Sequence, residues 1–464
     1  MKPFLVCLCF VILFVGQMDP SRVQKDPEID LFFQASGKDK KKALEALDKI
    51  TVNWQDGYSG LILDLSRFMR PQRSTHPTAK IRRRLIRFLR KRTGKNYGDN
   101  LSRWRQWLWS LPYSPHPDFI YFKAKLYSIV DAKMSLFFKP GSKTTIRLDE
   151  VDWGGVKVNG IPPLDHIPVL PAHTAGYLDD NDVVFGLSIE GEARAYPQRI
   201  IGWHEMVLDR LGGKDITLVY CTLCGAAIPF NSECGGKKRH FGTSGLLYRS
   251  NKLMFDRETN SLWSALSGEP VIGELVGKGL RLEVFPLVVT SWGEWKKDHP
   301  NTTVLSQQTG FIRDYREGAA YKNYFATDKL MFPVSNVDRR LKNKSVVLVM
   351  RLQKEGAVGQ QITLAIYTPL LNKRPLYPFK AAGKHLLVIT SAAGASRVYH
   401  AGDYRFKKIP GDRLIVDSED RTWEIEEAFL KMHQNPTIKL KRVPAHSAFW
   451  FGWYAQFPDT LLIK

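Results

Sequence analysis

Cysteine is scarce in this sequence, with five among 464 residues. Cys7 and Cys9 lie inside an N-terminal apolar run, which leaves Cys221, Cys224 and Cys234 for the folded part of the chain. So few cysteines exclude a disulfide scaffold, and a chain of this length can bury a core without such cross-links. An odd number of cysteines in an oxidising compartment is typical of a free thiol or of metal ligation.

Several catalytic signatures are missing as well. The sequence has no P-loop and no dinucleotide-binding glycine fingerprint, and His204-Glu205 is not followed by the second histidine of an H-E-x-x-H zinc site. Ser244 does not stand in a G-x-S-x-G elbow, which argues against a serine hydrolase.

Long apolar runs are absent except at the N-terminus. There, Lys2 precedes the apolar run from Pro3 to Gly16, which is shorter than the roughly 20 residues of a spanning helix. This pattern predicts a signal peptide or an uncleaved anchor over residues 1–20. We therefore expect an extracytoplasmic protein, either periplasmic or secreted.

Acidic residues are too few to balance the basic ones: 46 against 68, a formal net charge of +22. Much of the excess lies in residues 80–95, where Ile81, Leu85, Phe88 and Leu89 are spaced for one apolar helix face. The basic side of this helix is either a solvated surface or a contact with an anionic membrane or cell-envelope polymer. Export argues against nucleic acid as the partner.

The remaining sequence predicts an α+β multidomain chain. Residues 21–140 read as an all-α helical array, and residues 141–160 read as a linker. Residues 161–464 read as a large β-rich domain, a sandwich or a partly closed barrel, with a sub-boundary near residue 310. Trp423–Met432 is predicted to be helical. The strands predicted in the β-rich part are Val183–Ile189, Ala193–Tyr196, Ile216–Tyr220, Ala226–Phe230, Val346–Leu352, Ile362–Thr368, Leu386–Thr390 and Leu414–Val416.

The Cys-x-x-Cys-Gly motif carries the clearest chemistry. Cys221 ends one predicted strand and Cys224-Gly225 opens the next, so the cysteines should lie in a tight turn. This resembles the knuckles of zinc-ribbon metal sites, where glycine supplies the positive φ that directs backbone N–H groups toward sulfur. Thioredoxin-like sites instead begin a helix.

A metal at this turn would need further ligands. His204 is the first candidate and Met254 the second, while His240 and His166 are weaker. Thiolate, imidazole and thioether together favour copper, whereas two thiolates with two imidazoles favour zinc.

A polar segment follows the cysteines and could line a pocket beside them. Its candidates are Ser244, Asn251, Asp256 and Arg257. The alternative is that these side chains close hairpin turns.

Several motifs taken together resemble domain-of-unknown-function family 3179, over roughly residues 150–464. That resemblance implies an exported protein and supplies no reaction. Members usually carry proline between the cysteines, where this chain has Thr222-Leu223. The motifs are GIPP (160–163), GEARAYP (191–197), WHE (203–205), YCTLCG (220–225), FGTSGLLY (241–248), SWGEW (291–295) and VPAHSAFWFGWYAQFP (443–458).

Three functions remain open at this point. The first is a soft-metal site for copper or zinc handling or electron transfer, with Cys221, Cys224, His204 and Met254 as ligands. The second is thiol–disulfide exchange at the two cysteines. The third is a non-catalytic binding module in which the cysteines form a structural disulfide.

Overall fold

The computed structural model describes residues 26–69, 77–165, 167–357, 359–411 and 413–464. The predicted signal segment, residues 1–20, lies outside this range. Contacts divide the chain at Asn96/Tyr97 into two compact units.

The described part of the first unit is helical. Asp39 begins its second helix by accepting hydrogen bonds from the backbone N–H groups of Lys41 and Lys42. The helices are α1 (Ile29–Ala35), α2 (Lys40–Val52), α3 (Ser59–Phe68) and α4 (Pro77–Thr93).

Helix α4 is the basic helix predicted from the sequence. Ile81, Leu85 and Leu89 of its apolar face are buried, as predicted. The Arg84 guanidinium crosses to the end of α1 and donates to the carbonyl oxygen of Ala35 at 2.9 Å. Binding of an anionic surface by the exposed basic residues stays a prediction.

The second unit contains further helices and all of the described strands. Its helices are α5 (Leu101–Trp109), α6 (Phe119–Ser128), α7 (Gln198–His204), α8 (Trp292–Asp298), α9 (Lys322–Phe325), α10 (Thr368–Lys373) and α11 (Trp450–Gln456). Helices α5 and α6, which the sequence pattern placed with the helical region, belong to this unit. Arg105 of α5 pairs with Asp152 at 2.6 Å, and Lys123 of α6 donates to the carbonyl oxygen of Val151 at 3.0 Å.

The strands are short and mostly antiparallel, as expected from runs bounded by Gly and Pro turns. In chain order they are β1 (Lys143–Thr144), β2 (Val151–Trp153), β3 (Leu164–Asp165), β4 (Val169–Pro171), β5 (Val183–Ile189), β6 (Glu192–Pro197), β7 (Met206–Leu211), β8 (Lys214–Cys221), β9 (Ala226–Asn231), β10 (Glu233–Cys234), β11 (Lys237–Lys238), β12 (Phe241–Tyr248), β13 (Asn251–Asp256), β14 (Leu262–Ser264), β15 (Pro270–Gly273), β16 (Leu287–Ser291), β17 (Thr303–Leu305), β18 (Val346–Gln353), β19 (Gln361–Tyr367), β20 (Leu376–Ala381), β21 (Lys384–Thr390), β22 (Ser396–His400), β23 (Phe406–Gly411), β24 (Leu414–Asp417), β25 (Thr422–Ile425), β26 (Phe429–Met432), β27 (Lys439–Val443), β28 (His446–Phe449) and β29 (Leu461–Ile463).

Three sheets meet around the cysteines. Their strand orders are β3-β7-β8-β9, β1-β15-β14-β13-β12-β2 and β28-β18-β19-β29. One buried cluster joins them, and it contains Cys221 and Cys224 together with Met254, Val347 and Trp453. The dithiol therefore lies in the core of the β-rich unit.

The C-terminal part forms a nearly closed, barrel-like sheet of eight strands, which confirms the β-rich architecture. Its order is β20-β21-β22-β27-β26-β25-β24-β23. A further sheet, with the order β16-β5-β6-β17-β4, packs against α8. The sub-boundary predicted near residue 310 falls in an irregular segment between β17 and α9.

The predicted helix over Trp423–Met432 is wrong. This stretch forms β25 and β26, which pair antiparallel, with Trp423 opposite Met432. Trp423, Ile425, Leu430 and Met432 are buried and alternate with less buried neighbours. That period of two is the pattern of a half-buried strand.

Among the described helices, none is both long and apolar enough to cross a membrane. The extracytoplasmic location stays a prediction.

Candidate functional site

The Cys-x-x-Cys-Gly motif forms the loop of the β8–β9 hairpin. Cys221 pairs with Ala226 across the two strands, and Thr222–Cys224 form a single 3₁₀ turn between them. Gly225 follows with φ +59°, where a side chain would also meet the Phe449 ring at 3.0 Å. The predicted tight turn between strands is therefore present, and it needs glycine for both backbone and space.

The two sulfur atoms lie together in unequal surroundings. The Cys221 thiol donates to the Cys224 sulfur at 2.7 Å. Cys221 lines a small cavity, whereas Cys224 is fully buried behind it. Gly452 of α11 closes the far side, since a Cβ atom at that position would stand 2.9 Å from Cys224 Cβ. Only Cys221 is open to the cavity.

The β12–β13 hairpin supplies another wall around Cys224. Its two turn residues, Arg249 and Ser250, both have positive φ, although neither is the glycine or asparagine that such turns favour. Glu150 fixes Arg249 through a 2.7 Å ion pair. The turn thereby brings the Ser250 carbonyl oxygen within 3.4 Å of the Cys224 sulfur.

These surroundings make the two thiols chemically different. Burial raises the pKa of the Cys224 thiol well above its ordinary value, and the hydrogen bond from Cys221 and the nearby Cys221 and Glu205 charges add to the rise. Cys224 is therefore a protonated thiol at neutral pH. A first reaction with anything in the cavity falls to Cys221.

The cavity beside Cys221 has a volume of about 50 Å³. Its polar wall contains Glu205, Lys252 and Tyr321, and Met331 and Phe332 belong to its apolar wall. A water molecule needs at least ~10–15 Å³ of such space, so only very small molecules fit.

Glu205 is held by two donors. Lys252 Nζ lies 2.7 Å from Glu205 Oε2, and the Tyr321 hydroxyl donates to Oε1 at 3.0 Å. The Lys252 and Glu205 side chains are 6% and 10% exposed, so this is a buried ion pair. Burial, followed by the Glu205 charge, raises the pKa of Tyr321, which keeps its hydroxyl a donor.

The backbone is strained at the same place. Glu205 ends α7 with φ +56°, and Tyr321 precedes α9 with φ +55°. Such left-handed conformations cost non-glycine residues about 1–3 kcal/mol and cluster at functional sites.

One polar side chain of the cavity wall is left without a hydrogen-bond partner among the described residues. Thr222 lines the cavity and is 1% exposed, and its Oγ1 makes no hydrogen bond to any residue that the structure describes. An unsatisfied buried hydroxyl costs roughly 1–3 kcal/mol, so the turn tolerates a cost that valine would avoid.

His204 is diverted from the thiols. Its Nδ1 lies 2.9 Å from the Pro162 carbonyl oxygen and its Nε2 lies 2.5 Å from the Tyr315 hydroxyl. Because a carbonyl only accepts, Nδ1 carries the proton and Nε2 accepts. Burial, reinforced by the Arg313 charge, lowers the pKa of His204, so the ring is neutral. His204 thus ties two loops together.

The ligand set proposed for a metal is not assembled around the cysteines. Within the described residues, no group of three or more His, Cys, Asp and Glu side chains could share an ion. Met254 is fully buried in the same core cluster as both thiols. His240 pairs with Glu258 at the surface, and His166 lies outside the described residues.

Two of the four predicted pocket residues pack near the hairpin loop. The Ser244 hydroxyl donates to the Leu253 carbonyl at 2.5 Å, at a bulge in β12. Asn251 donates to the Gly452 carbonyl at 3.0 Å and so connects β13 to α11. Both support the wall around Cys224, and neither lines the cavity.

The other two predicted pocket residues serve a turn. Asp256 is fully buried and accepts from Trp263 Nε1 at 2.9 Å and from the Thr259 backbone N–H at 2.7 Å. The Arg257 backbone N–H donates to the His240 carbonyl, and its side chain is exposed. This is the hairpin-closing role weighed as the alternative.

Sequence reasoning missed the polar residues that do line the cavity. Glu205 lies in the WHE motif directly after His204, whose imidazole is the more typical metal ligand. Lys252 carried a usable signal, since it is a charged residue directly before the apolar run Leu253–Phe255, and all six residues of β13 are buried. Tyr321 lies in an irregular segment with no periodic pattern, so nothing in the sequence pointed to it.

Comparison with known proteins identifies the family of this chain. The model of the family described as "Protein of unknown function (DUF3179)" matches residues 158–460. No curated protein and no solved structure matches the chain. The chain belongs to the DUF3179 family.

Proposed function

We propose that this family member carries a redox-active dithiol, which alternates between the Cys221 and Cys224 thiols and a Cys221–Cys224 disulfide. The supporting observation is the pairing of two sulfurs 2.7 Å apart, of which only one lines a cavity. This division between a reacting and a resolving sulfur is what a two-step exchange needs.

Oxidation of the pair removes two electrons and two protons and forms one S–S bond. The electron acceptor meets Cys221 first, because Gly452 and Ser250 cover Cys224. The Cys224 sulfur then attacks the Cys221 sulfur and expels the reduced acceptor. Lys252 stabilises the negative charge that develops at the cavity, and the two thiol protons leave with the reduced acceptor.

The predicted extracytoplasmic location is compatible with this proposal. Disulfides form and persist in oxidising compartments and are rare in the cytosol. A dithiol there can act as an electron donor or can be held oxidised until a thiol reduces it.

The test is a redox titration of the full chain prepared from its native compartment. Samples equilibrated in dithiothreitol buffers are quenched in acid and alkylated, and the peptide that carries both cysteines is read by mass spectrometry. We expect a reversible two-electron couple. In the folded protein, Cys224→Ser should leave a Cys221 that reacts with iodoacetamide, whereas Cys221→Ser should leave an inert Cys224.

Cys234 is the matched control, since it is buried alone with its sulfur 3.4 Å from the Arg281 carbonyl oxygen. Cys234→Ser should leave the couple unchanged. Elemental analysis runs in parallel. About one copper or zinc per chain, lost in the Cys221/Cys224 double variant, would overturn the proposal in favour of metal binding. A disulfide that even the small thiol 2-mercaptoethanol fails to reduce in the folded chain would favour the structural role of a binding module.

A further inference from the structure

The size of the cavity restricts what can reach Cys221. At about 50 Å³ it holds a molecule of only a few non-hydrogen atoms. Met331 and Phe332 form part of its wall, on the segment that also supplies Tyr321. A peptide disulfide, or a reagent that carries an aromatic ring, does not fit beside this sulfur.

The polar groups of the cavity suit a small molecule that both donates and accepts hydrogen bonds. The Thr222 hydroxyl has no partner among the described residues and can give and take one hydrogen bond each. The Lys252 ammonium, which is paired with Glu205, belongs to the wall of the same cavity. A peroxide has two bonded oxygen atoms, each of which can accept a hydrogen bond. Cleavage of the O–O bond places negative charge on the leaving oxygen.

We propose that the electron acceptor of the dithiol is a small hydroperoxide, with hydrogen peroxide as the representative. This inference rests on the redox function proposed above. The Cys221 sulfur attacks one oxygen, the O–O bond breaks, and the thiol proton ends on the leaving oxygen as water, which leaves Cys221 as a sulfenic acid. The Cys224 sulfur then attacks Cys221, the S–O bond breaks, and its proton leaves with the hydroxyl as a second water. The balance is two thiols and one H₂O₂ to one disulfide and two waters.

The arrangement behind Cys221 favours the second step. Cys224 lies 2.7 Å from Cys221, so the sulfenic acid meets a thiol within the same loop. Its resolution is then intramolecular and needs no second molecule in the cavity.

The experiment compares oxidants of increasing size on the reduced full chain. Disulfide formation is followed by acid quench and mass spectrometry with hydrogen peroxide, cumene hydroperoxide and oxidised glutathione, and each rate is divided by that of free cysteine with the same oxidant. We expect the normalised rate with hydrogen peroxide to exceed the other two at least tenfold. In Cys224→Ser, oxidation should stop at the Cys221 sulfenic acid, which dimedone labels once the quenched chain has been unfolded.

Thr222→Val provides the variant that separates binding from folding. Valine has the shape of threonine without the hydroxyl, so the variant should be as stable as the parent or more stable. It should react with hydrogen peroxide about tenfold more slowly, because a tenfold change corresponds to the loss of one hydrogen bond. Thr222→Ser should retain the rate. Equal rates for Thr222→Val and the parent would overturn the role of this hydroxyl and, with it, the peroxide site.

The two proposals fail in different ways. Equal normalised rates for all three oxidants would overturn the small hydroperoxide as acceptor and leave the dithiol function standing. If no oxidant forms the Cys221–Cys224 disulfide in the folded chain, the dithiol function itself fails.

Discussion

The buried pair between Lys252 and Glu205 gives the sharpest quantitative prediction. Lys252→Met keeps the length of the aliphatic stem and removes the ammonium group, which lies 2.7 Å from Glu205 Oε2. The Glu205 carboxylate is then left buried with the Tyr321 hydroxyl as its remaining side-chain donor. Breaking a buried pair in this way costs about 3–5 kcal/mol, and because Tyr321 stays we expect the lower end, about 3 kcal/mol of unfolding free energy.

A double-mutant cycle tests whether that cost belongs to the pair. Glu205→Gln alone leaves the Lys252 ammonium without its counter-charge and should also destabilise. In the combined variant neither charge remains, so its loss should be smaller than the sum of the single losses by about 1–3 kcal/mol. Replacing both charges removes the penalty that each single change creates.

The assay is urea unfolding at neutral pH, followed by the fluorescence of the buried tryptophans of the β-rich unit. Lys214→Met is the matched control, since Lys214 is exposed at the start of the strand that ends in Cys221, and it should stay within ~0.5 kcal/mol of the parent. A Lys252→Met variant within about 1 kcal/mol of the parent, or strictly additive single losses, would refute the reasoning.

Two further predictions concern the surroundings of the dithiol. Gly452→Ala would place a Cβ 2.9 Å from Cys224 Cβ. The crowding costs about 1–3 kcal/mol and outweighs a gain in helix propensity of up to ~1 kcal/mol. Urea unfolding should therefore show a net loss of unfolding free energy, whereas the control Gly176→Ala, whose Cβ would meet nothing within 4 Å, should show none. Burial, helped by the Arg351 charge, lowers the pKa of His446 to about 3. The unfolded imidazole binds a proton near pH ~6.5, whereas the buried one stays neutral. The contribution of His446 to the free energy of unfolding is therefore complete above that pH and is lost as the pH falls toward 3. The loss is about 2 kcal/mol at pH 5. His446→Gln should flatten the fall in stability between pH 7 and pH 5, and an unchanged slope would contradict the shift.

The strands around the site could be predicted because their patterns are local. β5 has the predicted bounds, Val183–Ile189, and β8 and β9 each differ by at most two residues at an end. Cys221 and Gly225 lie in the turn where the sequence put them, because a strand end and a glycine are both visible within a few residues. Residues close together in the sequence were therefore sufficient to predict the position of this motif in a turn.

The stretch Trp423–Met432 shows where local preference fails. Glu424, Ala428 and Lys431 favour a helix, but the burial of Trp423 and Leu430 alternates with that of their neighbours in the sheet. The sheet supplies partners on both sides, since β25 and β26 join β24 to β27. Tertiary pairing outweighed intrinsic preference.

The cavity wall could not be predicted, because its members come together only through the fold. Lys252 is 47 residues from its partner Glu205, and Tyr321 is 116 residues away. The partners of His204 come together in the same way, since Pro162 is 42 residues away and Tyr315 is 111 residues away. A residue type can suggest a metal ligand, but the position of its side chain depends on the fold.

Three features of the cavity beside Cys221 cost stability, and they support the proposal that it is a site. Glu205 and Tyr321 adopt strained backbone conformations, and the Thr222 hydroxyl is left without a partner among the described residues. Each of these costs on the order of 1–3 kcal/mol, and a core selected for stability alone would remove them with glycine or valine. Native chains depart from local rules where function requires it. Three such departures at the cavity lined by Cys221 favour chemistry there over a purely structural role for the cysteines.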